Sequence, residues 1–80
     1  MIIWTRKAKK DLMKLPKDLQ ERILKALREL DRFDRGDVKP LVGDMKGYFR
    51  LRVGEWRVLF RYKGQDIEVE RVLHRRDAYR

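Results

Sequence analysis

Residues 47–62, Gly-Tyr-Phe-Arg-Leu-Arg-Val-Gly-Glu-Trp-Arg-Val-Leu-Phe-Arg-Tyr, alternate between apolar and polar side chains on both sides of a central Gly54-Glu55. Alternation of this kind is typical of β-strands. Glycine in the first position of a two-residue loop favours a type II′ turn, because glycine reaches positive φ without a steric penalty. The stretch therefore predicts a β-hairpin whose loop is Gly54-Glu55. Counting outward from that loop places Arg52 opposite Arg57.

This register sorts the side chains of the hairpin onto two faces, since neighbouring residues of a strand point to opposite sides. One face is apolar and is predicted to lie against the core; it carries Phe49, Leu51, Val53, Trp56, Val58 and Phe60. The other face carries Tyr48, Arg50, Arg52, Arg57, Leu59 and Arg61. We call this second surface the arginine face and expect it to be open to solvent.

Two interpretations of the arginine face remain open. Like charges directly opposite each other destabilise a hairpin, so the pairing of Arg52 with Arg57, without a carboxylate beside them, favours a functional role. Arginine binds phosphate in a bidentate manner and keeps its charge, which makes a phosphate site the functional interpretation. The alternative is a solvated sheet face whose charges are screened by salt.

Composition favours a polyanionic partner. The 80 residues include 22 basic and 13 acidic side chains, for a net charge of +9, which indicates a nucleic acid or an acidic protein. A thermophilic source would raise both signs together. The length predicts a single domain over residues 1–80. No apolar run approaches a membrane span and no signal peptide is evident, so a cytoplasmic location is expected.

Two helices are predicted between a short first strand at residues 2–4 and the hairpin. Apolar residues recur at helical spacing before and after Pro16, which separates the helices because it restricts the residue that precedes it. Thr5 is placed to cap the first helix, and Gly36 is predicted to end the second. Residues 37–46 are predicted to be a connection, with proline and glycine as turn signals.

A second turn at Gly64 is predicted to lead into a last strand, in which the alternation slips at Arg71 and indicates a β-bulge. Glu68 and Glu70 are expected on the arginine side, where pairing with Arg61 or Arg57 would reduce the usable positive patch. The predicted fold is α+β with the order β-α-α-β-β-β. It is an antiparallel sheet with a two-helix hairpin packed on its apolar face.

Few residues outside the hairpin carry chemistry. The chain has no cysteine and no serine, which excludes a disulfide, a thiolate nucleophile and a Ser-His-Asp triad. A single histidine without cysteine predicts no zinc or iron site, so no metal or other cofactor is expected. In the C-terminal segment, His74 is able to change charge near neutral pH, and Tyr79 could transfer a proton beside cations. The alternative for both is a structural role.

Four segments resemble the RelE branch of the RelE/ParE toxin superfamily. They are Trp4-Thr-x-x-Ala8, Lys39-Pro-Leu-x-Gly-Asp-x-Lys-Gly47, Phe49-Arg-Leu-Arg-Val-Gly-x-Trp-Arg57 and His74-Arg-Arg-Asp-x-Tyr79. The resemblance implies a compact RelE-like fold and the toxin half of a type II toxin–antitoxin pair. It also implies a metal-independent endoribonuclease that cleaves mRNA in the ribosomal A site, where the ribose 2′-hydroxyl attacks the adjacent phosphate. The implied partners are the ribosome, mRNA and a RelB-like antitoxin.

The resemblance assigns catalytic roles by position to Arg50, Arg52, Arg57, Arg75 and Tyr79. Some members have lysine where this chain has its first two arginines. An arginine, with a pKa above about 12, is a poor base. We therefore expect Tyr79 or His74 to handle the proton while the arginines neutralise the phosphate. Further RNA contacts are predicted for Arg61, Arg76, Lys46 and Lys10.

Two other functions are consistent with the sequence. A ParE-like inhibitor of DNA gyrase shares the superfamily, but that branch lacks the full set of basic catalytic positions. A plain RNA-binding module that does not cleave would use the same basic surface, and its phenotype would not change when Tyr79 is replaced by phenylalanine.

Overall fold

The computed structural model describes residues 1–78, in which five strands and three helices follow one another along the chain. They are β1 (Ile2–Trp4), α1 (Arg6–Met13), α2 (Lys17–Phe33), β2 (Asp37–Pro40), β3 (Phe49–Val53), β4 (Trp56–Lys63), β5 (Asp66–His74) and α3 (Arg75–Ala78), with a 3-10 turn at Gly43–Met45 before β3. The last helix, α3, is a single turn.

The strands form one mixed sheet in the order β1-β5-β4-β3-β2. Neighbours from β2 to β5 are antiparallel, as predicted, whereas β1 runs parallel to β5. The predicted α+β class with two helices on one face is confirmed. The parallel pair was not predicted, because a three-residue strand has no partner near it in sequence and its direction depends on how the helices return the chain.

Residues 37–40 form the edge strand β2, although the sequence predicted only a connection there. Its residues are mostly exposed and include a proline, so they lack the apolar alternation that marks a strand. The Leu41 amide donates to the Tyr48 carbonyl at 2.9 Å. Successive residues alternate in direction, so the nitrogen of Pro40 faces the outer edge, where the missing N–H costs no ladder hydrogen bond.

The predicted hairpin register is confirmed residue by residue. Val53 lies opposite Trp56 and Arg52 opposite Arg57, and Gly54 has a φ of +58°. The following hairpin closes in the same way around Gly64, which has a φ of +62°. Both connections therefore use glycine where another residue would be strained.

The start of α1 and the end of α2 each have a local cause. Thr5 caps α1 as predicted, since its hydroxyl accepts a hydrogen bond from the Ala8 amide at 3.1 Å. The α2 helix ends at Phe33 and not at the predicted Gly36, because Asp34 takes a left-handed conformation with a φ of 54°. Aspartate tolerates this region better than most residues.

The hydrophobic core lies between the two long helices and the apolar face of the sheet. The helices contribute Ala8, Leu12, Ile23, Leu27 and Leu30, and the sheet contributes Leu51, Val53, Val58, Phe60, Ile67, Val69 and Val72. Because the sheet residues alternate along each strand, the side chains between them belong to the opposite face. The core thereby orients the arginine face away from the helices.

The predicted bulge is present in β5. Leu59 lies opposite Arg71 and Phe60 opposite Val69, so Glu70 is an extra residue. Beyond the bulge the outer edge of β5 is bound by α1. The Asp11 carboxylate there accepts hydrogen bonds from the Arg71 side chain at 2.7 and 3.2 Å and from the Val72 amide at 2.9 Å.

Candidate functional site

The arginine face is built by β3 and β4. Arg50 and Arg52 alternate with core residues of β3, and Arg57 lies directly across the strand pair from Arg52. The structure therefore brings these three predicted site residues together on the side of the sheet opposite the helices. The three side chains share this face because residues alternate along a strand and directly paired residues lie on the same side of a sheet.

This face is less open than the sequence predicted. Arg52 is exposed, whereas Arg50 and Arg57 are each 8 % exposed and Leu59 is 5 % exposed. A buried guanidinium must keep its hydrogen bonds, because an unpaired buried charge is strongly destabilising. The expectation of a uniformly solvated arginine face is therefore wrong, and each arginine has to be considered with its own partners.

Arg50 is held by the edge strand that the sequence did not predict. Its Nη1 donates to the backbone carbonyl of Asp37 at 3.1 Å and to the carboxylate of the same residue at 3.3 Å. The Asp37 side chain is about half exposed, so this ion pair is screened by water. Without β2, the Arg50 guanidinium would have neither acceptor.

Arg57 is held by the hairpin turn itself. Its Nη1 donates to the carbonyls of Gly54 and Trp56, both at 2.9 Å. A carbonyl is a neutral dipole, so these contacts fix the guanidinium without cancelling its charge. Arg52 belongs to none of the ion pairs formed within residues 1–78. The pair Arg52 and Arg57 thus presents uncompensated positive charge beside the turn.

Arg61 differs from these arginines because a carboxylate neutralises it. Its Nε donates to Glu68 at 2.8 Å, and Lys63 approaches the same carboxylate at 3.5 Å. The hydrogen bond raises the pKa of Arg61 and lowers that of Glu68. The Arg61 guanidinium also lies 5.7 Å from the ring centre of Tyr48. The expected pairing of Glu68 with Arg61 is confirmed, and the usable patch shrinks as predicted.

Arg75 lies beside the same turn as Arg57. Its Nε approaches the Glu55 carboxylate at 2.7 Å, and its backbone amide donates to the Glu55 carbonyl at 2.9 Å. Arg76 is exposed on α3. The structure therefore brings Arg75 to the hairpin tip, as the predicted site requires, although Arg75 belongs to a different part of the chain.

His74 is not on the arginine face. It lies opposite Trp56 in the sheet, and the two rings meet edge to face with centres 5.4 Å apart. Both line a cavity of about 150 Å³ together with Leu15 on the helix side. The His74 Nδ1 accepts a hydrogen bond from the Arg76 amide at 3.2 Å. The expectation that His74 joins the arginines is wrong, because the alternation of β5 after its bulge directs this residue to the other side.

The remaining predicted residues are more scattered. Lys10 is exposed on α1, the helix whose Ala8 and Leu12 enter the core, and Lys46 is exposed just before β3. Tyr79 lies outside the described residues. Within residues 1–78, no three side chains of the types that bind metals form a group able to hold an ion. None of the helices in that range has the length and apolar character of a membrane span.

Two residues of this site were missed by sequence reasoning. Asp37 holds Arg50, and Glu55 holds Arg75. A single carboxylate in a turn or at the start of an edge strand is common and gives no signal by itself. The sequence separation between Glu55 and Arg75 means that only the returning β5 strand reveals their contact.

Comparison with known proteins places the chain in a family. A family model described as the ParE toxin of type II toxin–antitoxin system, parDE, matches residues 2–79. The chain is 34 % identical over 74 residues to Toxin RelE3 of Methanocaldococcus jannaschii, covering 88 % of this chain and 84 % of that protein.

Solved structures agree with this match. The toxin–antitoxin complex RelBE2 of Mycobacterium tuberculosis contains a chain that is 29 % identical, with a TM-score of 0.77 and coverage of 92 % of this chain and 95 % of that chain. The RelB–RelE antitoxin–toxin complex of Methanococcus jannaschii contains a chain that is 27 % identical, with a TM-score of 0.75. That match covers 96 % of this chain and 94 % of that chain. The protein therefore belongs to the ParE toxin family within the RelE/ParE superfamily and is a toxin of a type II toxin–antitoxin system.

Proposed function

We propose that this toxin is a ribosome-dependent endoribonuclease that cleaves mRNA in the ribosomal A site without a metal. The observation that carries the proposal is the uncompensated positive charge of Arg52 and Arg57 beside the hairpin turn. Such fixed cations suit a reaction whose transition state gathers negative charge on a phosphate. The identity to a protein named Toxin RelE3 supports the same branch of the superfamily.

In the proposed reaction the 2′-oxygen of a ribose forms a bond to the adjacent phosphorus, and the bond from phosphorus to the 5′-oxygen breaks. A base takes the proton of the 2′-hydroxyl, and an acid gives a proton to the departing 5′-oxygen. The products of this step are a 2′,3′-cyclic phosphate end and a 5′-hydroxyl end; addition of water to the cyclic phosphate, which breaks its bond to the 2′-oxygen, gives a 3′-phosphate end. No electrons are exchanged with a cofactor.

The arginines have distinct proposed roles. Arg57 and Arg75 bind the scissile phosphate, and Arg50 and Arg52 contact the RNA backbone and stabilise the charge of the transition state. Because Arg57 is held by two carbonyls, it needs little reorganisation when the phosphate arrives. Arginine remains protonated at neutral pH and does not serve as the base. With His74 on the Trp56 side of the sheet, Tyr79 is the proposed residue for proton transfer.

The proposed partners are a cognate RelB-like antitoxin, the ribosome and mRNA, all in the cytoplasm. Solved relatives of 27–29 % identity are toxins in complex with antitoxins, which supports the first of these. The net charge of +9 favours an acidic antitoxin segment. Affinity for such a partner should fall as salt rises, and an affinity that ignores ionic strength would contradict this part of the proposal.

The test uses purified toxin and ribosomes programmed with a defined message. We expect cleavage in the A-site codon in the presence of a chelator, with a 5′-hydroxyl on the downstream fragment. Tyr79→Phe should slow single-turnover cleavage by about 100-fold or more, since general acid–base catalysis contributes on that order. Intact message at normal ribosome occupancy would refute the endoribonuclease proposal, and cleavage unchanged by Tyr79→Phe would refute the role of that residue.

A ParE-like inhibitor of DNA gyrase is the second candidate, because the matching family model is that of the ParE toxin. The two candidates are separated by a supercoiling assay. Inhibition of gyrase at toxin concentrations that leave ribosome-bound message intact would favour the second candidate. The retained set of arginines on β3 and β4 supports the first.

A further inference from the structure

The β3–β4 turn is surrounded by guanidinium groups from three elements. Arg57 of β4 binds the turn carbonyls, and Arg75 of α3 binds Glu55. From the helix side, Nη2 of Arg22 lies 3.2 Å from the point that a Cβ on Gly54 would occupy. Within the described part of the chain, Glu55 is the carboxylate that forms an ion pair in this cluster.

Glu55 holds Arg75 at two points. Its carbonyl accepts the Arg75 backbone amide at 2.9 Å, and its carboxylate contacts the Arg75 Nε at 2.7 Å. The first contact fixes the position of the Arg75 backbone, and the second fixes the position of its guanidinium group. A flexible side chain with two fixed points keeps one direction, which lowers the entropy lost when it later binds a ligand.

The geometry of the pair leaves Arg75 able to bind a phosphate. The carboxylate contacts Nε, so the opposite edge of the guanidinium, with Nη1 and Nη2, stays available for bidentate contact with an anion. The side chains of Arg75 and Glu55 are 60 % and 62 % exposed. Exposed ion pairs contribute little to folding stability, so stability alone gives weak reason for this pair.

We propose that Glu55 is a positioning residue that directs Arg75 toward the phosphate held by Arg57. This inference deepens the proposed function and rests on it. Glu55 does not touch the substrate; it acts through Arg75. The tip of the hairpin thus orients both proposed phosphate-binding arginines, Arg57 through the carbonyls of Gly54 and Trp56 and Arg75 through the acidic side chain of Glu55.

The direction in which one substitution changes the cleavage rate tests the proposal. Glu55→Ala raises the net charge by one, and general electrostatics predicts tighter RNA binding. A positioning role predicts the opposite, namely cleavage slowed by about tenfold, because misplaced catalytic groups are costly. Glu21→Ala on the exposed surface of α2 makes the same change of charge and should leave cleavage unchanged or slightly faster.

Two further measurements separate this inference from the proposed function. A double-mutant cycle should show that Glu55→Ala has no further effect once Arg75→Ala is present. Independently of cleavage, heteronuclear relaxation of the Arg75 Nε–H group should show order in the unmodified protein and disorder in Glu55→Ala. Binding of a 2′-O-methylated single-stranded RNA should weaken in the same variant.

The outcomes are distinct. If the unmodified toxin does not cleave ribosome-bound message, the proposed function fails, while the relaxation and binding measurements still decide the role of Glu55. Faster cleavage or tighter binding by Glu55→Ala would overturn the inference and show that the carboxylate competes with phosphate. An equal loss in the Arg75→Ala background, or an Arg75 that stays ordered without Glu55, would overturn it as well.

Discussion

The sheet contains two hairpins that both turn at a glycine with positive φ, and the arginines of these hairpins have different hydrogen-bond partners. In the first, Arg57 is bound by the carbonyl of Gly54 in the turn and by that of Trp56, the strand residue that precedes it. In the second, which turns at Gly64, Arg61 is bound by the Glu68 carboxylate across the strand pair at 2.8 Å. Both arginines belong to β4 and lie on the same face of the sheet, Arg57 near the first turn and Arg61 nearer the second.

The difference between the hairpins shows that the partner of a guanidinium, and not its place in the alternation, decides whether its charge remains available. Carbonyl dipoles orient Arg57 and leave its positive charge uncompensated. A carboxylate orients Arg61 and cancels most of that charge at short range. A basic face read from a sequence therefore overstates the surface that can attract phosphate.

The largest expected effect distinguishes the two arginines directly. Arg57→Ala should slow cleavage on ribosomes by about 100- to 1,000-fold, the range found when one preorganised donor is removed. Arg61→Ala should slow it by less than about tenfold, since its charge is already neutralised. Single-turnover rates measure both.

Because Arg57 is buried, its loss could also disturb folding, and Arg57→Lys provides a control. Lysine keeps the charge but lacks the planar fork, so we expect a folded protein with most of the activity lost. Equal rates for the variants at positions 57 and 61 would show that the two hairpins do not differ in function.

An arginine of β5 that is bound by a carboxylate of α1 should act on stability. Asp11→Ala removes the acceptor of Arg71 and of the Val72 amide, and it should lower the free energy of unfolding by about 2 kcal/mol. For a domain of this size that is roughly 8–16 °C in Tm. Calorimetry measures the shift, with Glu21→Ala as the control. A loss of activity per folded molecule would argue against a purely structural pair.

The two turn glycines offer a matched comparison of smaller size. Both have positive φ, so Gly54→Ala and Gly64→Ala should each cost about 1–2 kcal/mol in unfolding free energy. A Cβ at Gly64 meets open space, whereas one at Gly54 approaches Arg22 Nη2 at 3.2 Å. Only Gly54→Ala should also slow cleavage, because a shift of the strained first turn would displace the Gly54 carbonyl that holds Arg57. Equal cleavage rates at equal folded fractions would contradict the role of the first turn.

The smallest expected effect is a pH dependence in the second hairpin. The hydrogen bond from Arg61 lowers the pKa of Glu68 below its ordinary value of 4.5. A lowered pKa in the folded state means that this pair stabilises the protein above about pH 4.5 and that the contribution is lost as the pH falls through the lowered value. Glu68→Gln should therefore be slightly less stable at neutral pH, and the difference should vanish in acid.

Urea denaturation at a series of pH values would measure this difference. A gap between Glu68→Gln and the unmodified protein that persists at pH 2 would show that the loss comes from packing and not from the ion pair. Asp44 is an exposed carboxylate that belongs to none of the ion pairs within residues 1–78, so Asp44→Asn should show no such gap at any pH.

Local patterns in the sequence were enough to predict several elements. The hairpin register followed from alternation around Gly54-Glu55, and the bulge followed from the slip at Arg71. Other features depended on distant contacts. The strand at residues 37–40 lacks alternation. The α2 helix ends before a left-handed Asp34, although Gly36 is the stronger stop signal in the sequence.

The sequence by itself determined the two faces of the central hairpin, because side chains of a strand alternate and a two-residue turn sets the register. It also determined the excess of positive charge and the motifs that resemble a toxin family. The sequence also indicated that Glu68 could neutralise an arginine of this face, and the structure identifies that arginine as Arg61. Only the tertiary structure decided the partners of Arg50 and Arg75, since Asp37 lies on a strand that the sequence did not predict and Glu55 meets Arg75 only after β5 returns. The tertiary structure also places His74 on the helix side of the sheet, because a bulge reverses which face each later residue of the strand occupies.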